Sequence, residues 1–266
     1  MSINNFPIIR EFITDPLYLG NVLCNKETHR PWLESFWVDE LEKFYKDGND
    51  TCCVHGSFFG GQYLAHNVCM IYDFCKLQAM DNPREYLQVC GDITFVVAST
   101  HKHLADQVID NIMRIISLMP FVSALLHKNE YKDYIKFKST TFGQIKRLIG
   151  TNVAGILLRY LDDCDNADAV IKDCYNIANR RQKLLGKAGH LLIASQWQYE
   201  PSAVTDSYYK IWAPIWKVKP QNFYKLIPKT FNITLDDGLN IEVPTELKEE
   251  KEQSLRELAG IFAGKD

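Results

Sequence analysis

Four short apolar runs, separated by segments with a helical pattern, are the feature of this 266-residue chain that most restricts its fold. The runs are CCV (52–54), DITFVVAS (92–99), AGILLRYL (154–161) and HLLIA (190–194). Continuous apolar runs are typical of strands buried on both faces, and strands that alternate with helices form parallel sheets with right-handed crossovers. The sequence therefore predicts an α/β fold with a central, mainly parallel sheet flanked by helices.

The remaining segments complete one predicted domain over residues 1–266. We expect an N-terminal lead-in and helix (1–50), a core (51–200), and C-terminal strands with a helix (201–266). Within the lead-in, residues 1–26 are predicted to be extended or loop-like. In the core, 134–138 is predicted to be an edge strand, and the polar stretch 139–150 a loop.

A glycine-rich loop joins the first run to its helix and resembles a P-loop, whose pattern is G-x-x-x-x-G-K-S/T. Gly56 and Gly61 occupy the two glycine positions, and Gly60 adds a third glycine. Gln62 occupies the lysine position, and Tyr63 occupies the Ser/Thr position. Backbone N–H groups of such a loop can still bind the phosphates of ATP, but the phosphate-binding charge and the Mg²⁺-binding hydroxyl are missing. An ordinary strand–turn–helix is the alternative.

Two further polar pairs follow predicted strands. Asp162 and Asp163 directly follow the third run, as in a Walker B segment, where the first acid binds Mg²⁺ and the second positions water. The alternative is that they cap the next helix. Ser195 and Gln196 directly follow the fourth run. Ligands of parallel sheets bind outside the carboxyl ends of the strands, so we expect both pairs to lie near the glycine loop.

The amino-acid composition and net charge restrict the kinds of partner that this chain is expected to bind. The net charge of -3 argues against a generally basic nucleic-acid coat, although a local basic groove is compatible with it. No apolar stretch approaches the ~20 residues that span a bilayer, so we expect no membrane partner. The eight cysteines form no C-x-x-C pair, which favours reduced core thiols over a zinc site.

Taken together, the order and spacing of several segments resemble the ATPase domain of the terminase large subunit, the DNA-packaging motor of tailed bacteriophages. The segments are PLYLGNVL, HRPWLESFW, GSFFGGQYLA, DITFVVASTHKHLADQV, LIGTNVAGILLRYLDDCDNA, HLLIASQWQYE and VPTELKEEKEQSLRELAG. The resemblance covers about residues 16–260. It implies a P-loop NTPase-like fold with ATP and Mg²⁺ as cofactors.

The resemblance also implies roles for particular residues. Asp162 would bind Mg²⁺, and Asp163 would stand in for the catalytic Glu. Ser195 and Gln196 would form the coupling segment, in which Gln replaces a second Ser. Because the P-loop Lys and Ser/Thr are also replaced, the resemblance predicts a degenerate ATPase with turnover near background.

The biological role implied by the resemblance is viral DNA packaging or DNA binding. Its partners would be phage DNA or other packaging or virion proteins, with a homo-oligomer or ring as a further option. Its place would be the cytoplasm of the infected bacterial host or the virion. Two alternatives stay open: a repurposed virion or interaction scaffold, favoured by the aromatic residues Phe58, Phe59 and Tyr63 in and after the loop, and the ATPase half of a split terminase with a separately encoded nuclease.

Overall fold

The computed structural model describes residues 6–24, 32–33, 35–46, 51–56, 61–161, 164, 166–185, 190–196, 215–218, 230–234 and 240–244. The helices are α1 Ile9–Thr14, α2 Ser35–Lys46, α3 Gln62–Ala79, α4 Pro83–Leu87, α5 Lys102–Ser117, α6 Pro120–His127 and α7 Ala167–Leu185, with a 3₁₀ helix at Phe142–Leu148. The strands are β1 Thr51–Gly56, β2 Ile93–Ser99, β3 Ile135–Thr141, β4 Asn152–Arg159, β5 His190–Gln196, β6 Ile215–Val218, β7 Thr230–Thr234 and β8 Asn240–Pro244.

Six of these strands form one sheet in the order β3-β2-β4-β5-β1-β6. Every neighbouring pair in it is parallel. The predicted α/β fold with a parallel sheet is therefore confirmed, and the predicted edge strand is β3. Strands β7 and β8 pair antiparallel in a separate two-stranded sheet. The predicted C-terminal helix lies outside the described residues.

Both faces of the sheet are covered, and the core side chains divide accordingly. On one face, Phe95, Val97 and Leu157 belong to the core formed with α1, α2, α3 and α5. On the other face, Val96, Ile156 and their neighbours pack with the 3₁₀ helix and α7. Side chains alternate between faces along a strand, so a sheet buried on both sides requires the uninterrupted apolar runs seen in the sequence.

Two loop predictions were wrong. Residues 1–26 include α1, whose Ile9 and Phe12 are buried, and the following turns bury Leu19. The polar stretch 139–150 continues β3 and then forms the 3₁₀ helix. That helix buries Phe142, Ile145 and Leu148, which are three residues apart and therefore lie on one side of a 3₁₀ helix. In both segments a few well-spaced apolar residues outweigh the polar composition.

A buried polar cluster joins α2, α3 and β5 at the amino edge of the sheet. The Tyr45 hydroxyl donates to Asp73 Oδ1 at 3.2 Å, and His190 Nδ1 lies 2.6 Å from Asp73 Oδ2. The side chains of Asp73 and His190 are 11% and 8% exposed. Because these side chains are largely shielded from water, the hydrogen bonds stabilise the packing of the three elements.

Among the cysteines whose side chains the structure describes, none forms a disulfide, and Cys52, Cys69, Cys75 and Cys174 are buried. Among the helices that the structure describes, none alone has the length and apolar character to cross a membrane. Helices α5 and α6 meet that test only when joined, across a bend of 74°.

Candidate functional site

The carboxyl ends of β1, β4 and β5 lie side by side and place several predicted site residues at one edge. Gly56, the last residue of β1, is the Cα partner of Gln196, and His55 is the partner of Ser195. On the other side of β5, Ala194 is the partner of Arg159 at the end of β4. The predicted coupling pair therefore lies directly beside the start of the glycine loop.

Several predicted site residues lie outside the described part of the chain. These are Gly60 of the glycine loop, Asp162 and Asp163. Gln62 is described only as the first residue of α3, and Ser195 and Gln196 only by their backbone. The residues of the candidate site whose surroundings the structure defines are therefore Gly61 and Tyr63.

Gly61 precedes α3 and has a structural role independent of any phosphate. Its φ is +76°, in the left-handed region that favours glycine. A Cβ at this position would lie 2.8 Å from Nε1 of Trp37, a buried side chain of α2. The helix α2 thus closes against the N-terminus of α3, and only glycine leaves room for this contact.

Tyr63, at the position of the P-loop hydroxyl residue, is held by an arginine from β4. The guanidinium carbon of Arg159 lies 4.2 Å from the centre of the Tyr63 ring. Arg159 Nη2 donates to the Tyr63 carbonyl at 2.7 Å and to Asn67 Oδ1 at 2.6 Å. One side chain therefore makes three contacts with the first two turns of α3.

The backbone after Arg159 is unusual. Tyr160 has a φ of +57°, which non-glycine residues seldom adopt. Its ring lies 6.0 Å from that of Tyr63. The chain therefore turns sharply at the end of β4, and a second aromatic ring adjoins the contact between Arg159 and Tyr63.

Arg159 is 3% exposed, and desolvation lowers the pKa of its guanidinium to about 10, still well above neutral pH. The site therefore carries a buried positive charge at pH 7. Within the described residues, no carboxylate forms an ion pair with it. A positive charge here favours anionic ligands and opposes the binding of a bare divalent cation.

Sequence reasoning did not single out Arg159, although a signal was present. It is the one charged residue in the run AGILLRYL. In a strand buried on both faces, a charge requires a specific partner, because burying it alone is costly. A charged residue near the carboxyl end of such a run was therefore already a candidate for the site.

No group of three or more His, Cys, Asp or Glu side chains in the described ranges is placed to hold a metal ion. Comparison with models of known protein families finds no match to this chain, and comparison with curated proteins finds none either.

Proposed function

We propose that this chain is a terminase large-subunit-like protein that takes part in viral DNA packaging or DNA binding, with a degenerate ATPase core. The observation that carries the proposal is the alignment of strand ends at one edge of the parallel sheet. The glycine loop leaves β1, the coupling pair ends β5 beside it, and the acidic pair follows β4 one strand further on. The strands that precede these three segments thus end at the edge where a ligand of such a sheet binds.

The contact between Tyr63 and Arg159 supports weak or absent ATP hydrolysis. In a P-loop the residue at position 63 contributes a small hydroxyl to Mg²⁺. Here the large ring of Tyr63 lies against the Arg159 guanidinium. The positive charge of that guanidinium repels Mg²⁺. Removal of charge-stabilising groups from phosphoryl transfer commonly lowers the rate by orders of magnitude.

The same contact favours a second candidate, a repurposed virion or interaction scaffold. Arg159 and Tyr63 join β4 to α3, and Trp37 closes α2 against Gly61. These contacts stabilise the start of α3 without any nucleotide. In this alternative the fold is kept for its surface, and neither ATP nor DNA is required.

Binding of duplex DNA by the purified full chain separates the two candidates. Fluorescence anisotropy would be measured with a labelled duplex at several salt concentrations, with and without Mg-ATP. A packaging or DNA-binding role predicts binding that weakens by orders of magnitude between about 50 and about 200 mM salt, because phosphate contacts release counterions. Absence of DNA binding at the lowest salt would contradict the first candidate and favour the scaffold.

A further inference from the structure

Two buried polar groups near the carboxyl edge lack hydrogen-bond partners among the described residues. They are Arg159 Nε and Ser99 Oγ. Ser99 is fully buried and Arg159 nearly so. A desolvated donor without an acceptor costs roughly 1–3 kcal/mol, so two of them in one place call for an explanation.

The strand register brings these two groups together. Ala98 of β2 is the Cα partner of Leu158 of β4, and Ser99 and Arg159 are the next residues on their strands. Val97 and Leu157, two residues earlier, belong to the core on the α3 face. Since side chains alternate along strands, Ser99 and Arg159 both project toward α3.

The chain leaves the carboxyl ends of β2 and β4 in opposite directions along the sheet. From β2 the chain continues through α5 to β3 on one side, and from β4 it continues through α7 to β5 on the other. Ligands of open parallel sheets bind in the crevice between the ends of two such strands. The N-terminal turn of α3 lies over the Arg159 guanidinium, and backbone N–H groups at a helix N-terminus attract anions.

We propose that Arg159 and Ser99 bind an oxyanion, a phosphate group, without a metal ion. The Arg159 Nε–H and the Ser99 hydroxyl donate to it, and its charge neutralises the buried guanidinium. Arg159 thereby supplies from β4 the positive charge that Gln62 does not supply from the loop. The choice of phosphate rests on the proposed function, whereas the need for an oxyanion rests on the two unpaired donors.

The test is isothermal titration of the full chain with inorganic pyrophosphate and, separately, with ADP, in EDTA. The key variants are Ser99→Ala, which removes one hydroxyl from a buried site, and Arg159→Met, which removes the charge at similar length. Arg84→Met is the matched control, because the Arg84 guanidinium also lies over an aromatic ring, 3.7 Å from the centre of Tyr134. Thermal melts of each variant show whether it is folded.

We expect pyrophosphate to bind the wild type, with affinity lowered roughly 10- to 100-fold by Arg159→Met and roughly 10-fold by Ser99→Ala, as for lost charge-assisted hydrogen bonds. Arg84→Met should leave the affinity unchanged. If ADP binds as tightly as pyrophosphate, the phosphate group comes from a nucleotide. If only pyrophosphate binds, the ligand is a free oxyanion. If Arg159→Met does not fold, Ser99→Ala decides.

Pyrophosphate affinity unchanged in Ser99→Ala, or no binding of either probe to the wild type, overturns the inference. These outcomes are independent of ATP turnover. Brisk ATP hydrolysis with oxyanion binding that depends on Arg159 would contradict only the degenerate ATPase. Background hydrolysis without oxyanion binding would contradict only the site at Arg159 and Ser99.

Discussion

The Arg159 guanidinium lies over the Tyr63 ring, with 4.2 Å between its central carbon and the ring centre. This contact joins the end of β4 to the start of α3. The same arginine holds the Tyr63 carbonyl and Asn67, so the first turns of α3 are fixed at three points. The proposed loss of ATPase chemistry and the proposed oxyanion site both depend on this arrangement.

Replacement of Tyr63 tests how much its ring contributes to the stability of the fold. Tyr63→Ser should lower the free energy of unfolding by about 2–4 kcal/mol, because a half-buried aromatic ring and its cation–π contact are lost. Tyr63→Phe keeps the ring beneath the guanidinium and should cost less than half as much. Urea denaturation of the three proteins measures both values. If both variants lose the same free energy of unfolding, the contact of the ring with Arg159 contributes little to stability.

Replacement of Gly61 separates backbone strain from close packing. Gly61→Ala introduces a side chain at positive φ and a Cβ 2.8 Å from Trp37 Nε1. Gly150→Ala is the matched control, since Gly150 has a φ of +93° but nothing within 4 Å of a Cβ. We expect a loss of about 1 kcal/mol for Gly150→Ala and about 1–3 kcal/mol more for Gly61→Ala. Similar unfolding midpoints for the two variants would argue against the Trp37 contact.

The Asp73 carboxylate, which is 11% exposed, should contribute more to stability than a fully solvated one. Asp73→Asn removes the carboxylate that accepts from the Tyr45 hydroxyl and lies against His190, and it should cost roughly 1–3 kcal/mol, as for the loss of a hydrogen bond to a charged group. Asp92→Asn breaks the exposed pair with Lys136 and should leave the urea midpoint nearly unchanged. A small effect of Asp73→Asn would mean that the cluster at the amino edge is dispensable.

Burial of thiols makes stability depend on alkaline pH. Burial raises the pKa of the Cys69, Cys75 and Cys174 thiols well above the ordinary value. In the unfolded chain these thiols ionise near pH 8.5, whereas in the folded chain they stay protonated. The folded state therefore binds more protons above pH 8.5, and stability falls by about 1.4 kcal/mol per pH unit for each thiol.

Urea unfolding in reductant, at pH values between about 8.5 and 10, measures this slope. Cys174→Ala should reduce the slope by the contribution of one thiol, whatever its effect on stability at neutral pH. Cys90→Ala, which removes an exposed thiol, is the control. If Cys174→Ala leaves the slope unaltered, the buried Cys174 thiol is not a source of the pH dependence.

The sequence was sufficient to predict the parallel sheet but not the contacts of the candidate site, for different physical reasons. Runs such as DITFVVAS report burial on both faces directly, so the strands and their parallel pairing followed from local pattern. The contact of Arg159 with Tyr63 joins residues 96 positions apart and depends on strand order. Likewise, Gly61 fitted a phosphate-loop pattern, whereas its contact with Trp37 appears only when α2 is placed against α3.

The degenerate ATPase core is tested most directly by steady-state phosphate release from Mg-ATP, measured with the purified full chain. We expect a rate indistinguishable from a protein-free blank, because Gln62 and Tyr63 replace the phosphate-binding charge and the metal-binding hydroxyl. Brisk Mg²⁺-dependent release that is abolished by Asp162→Ala would contradict it.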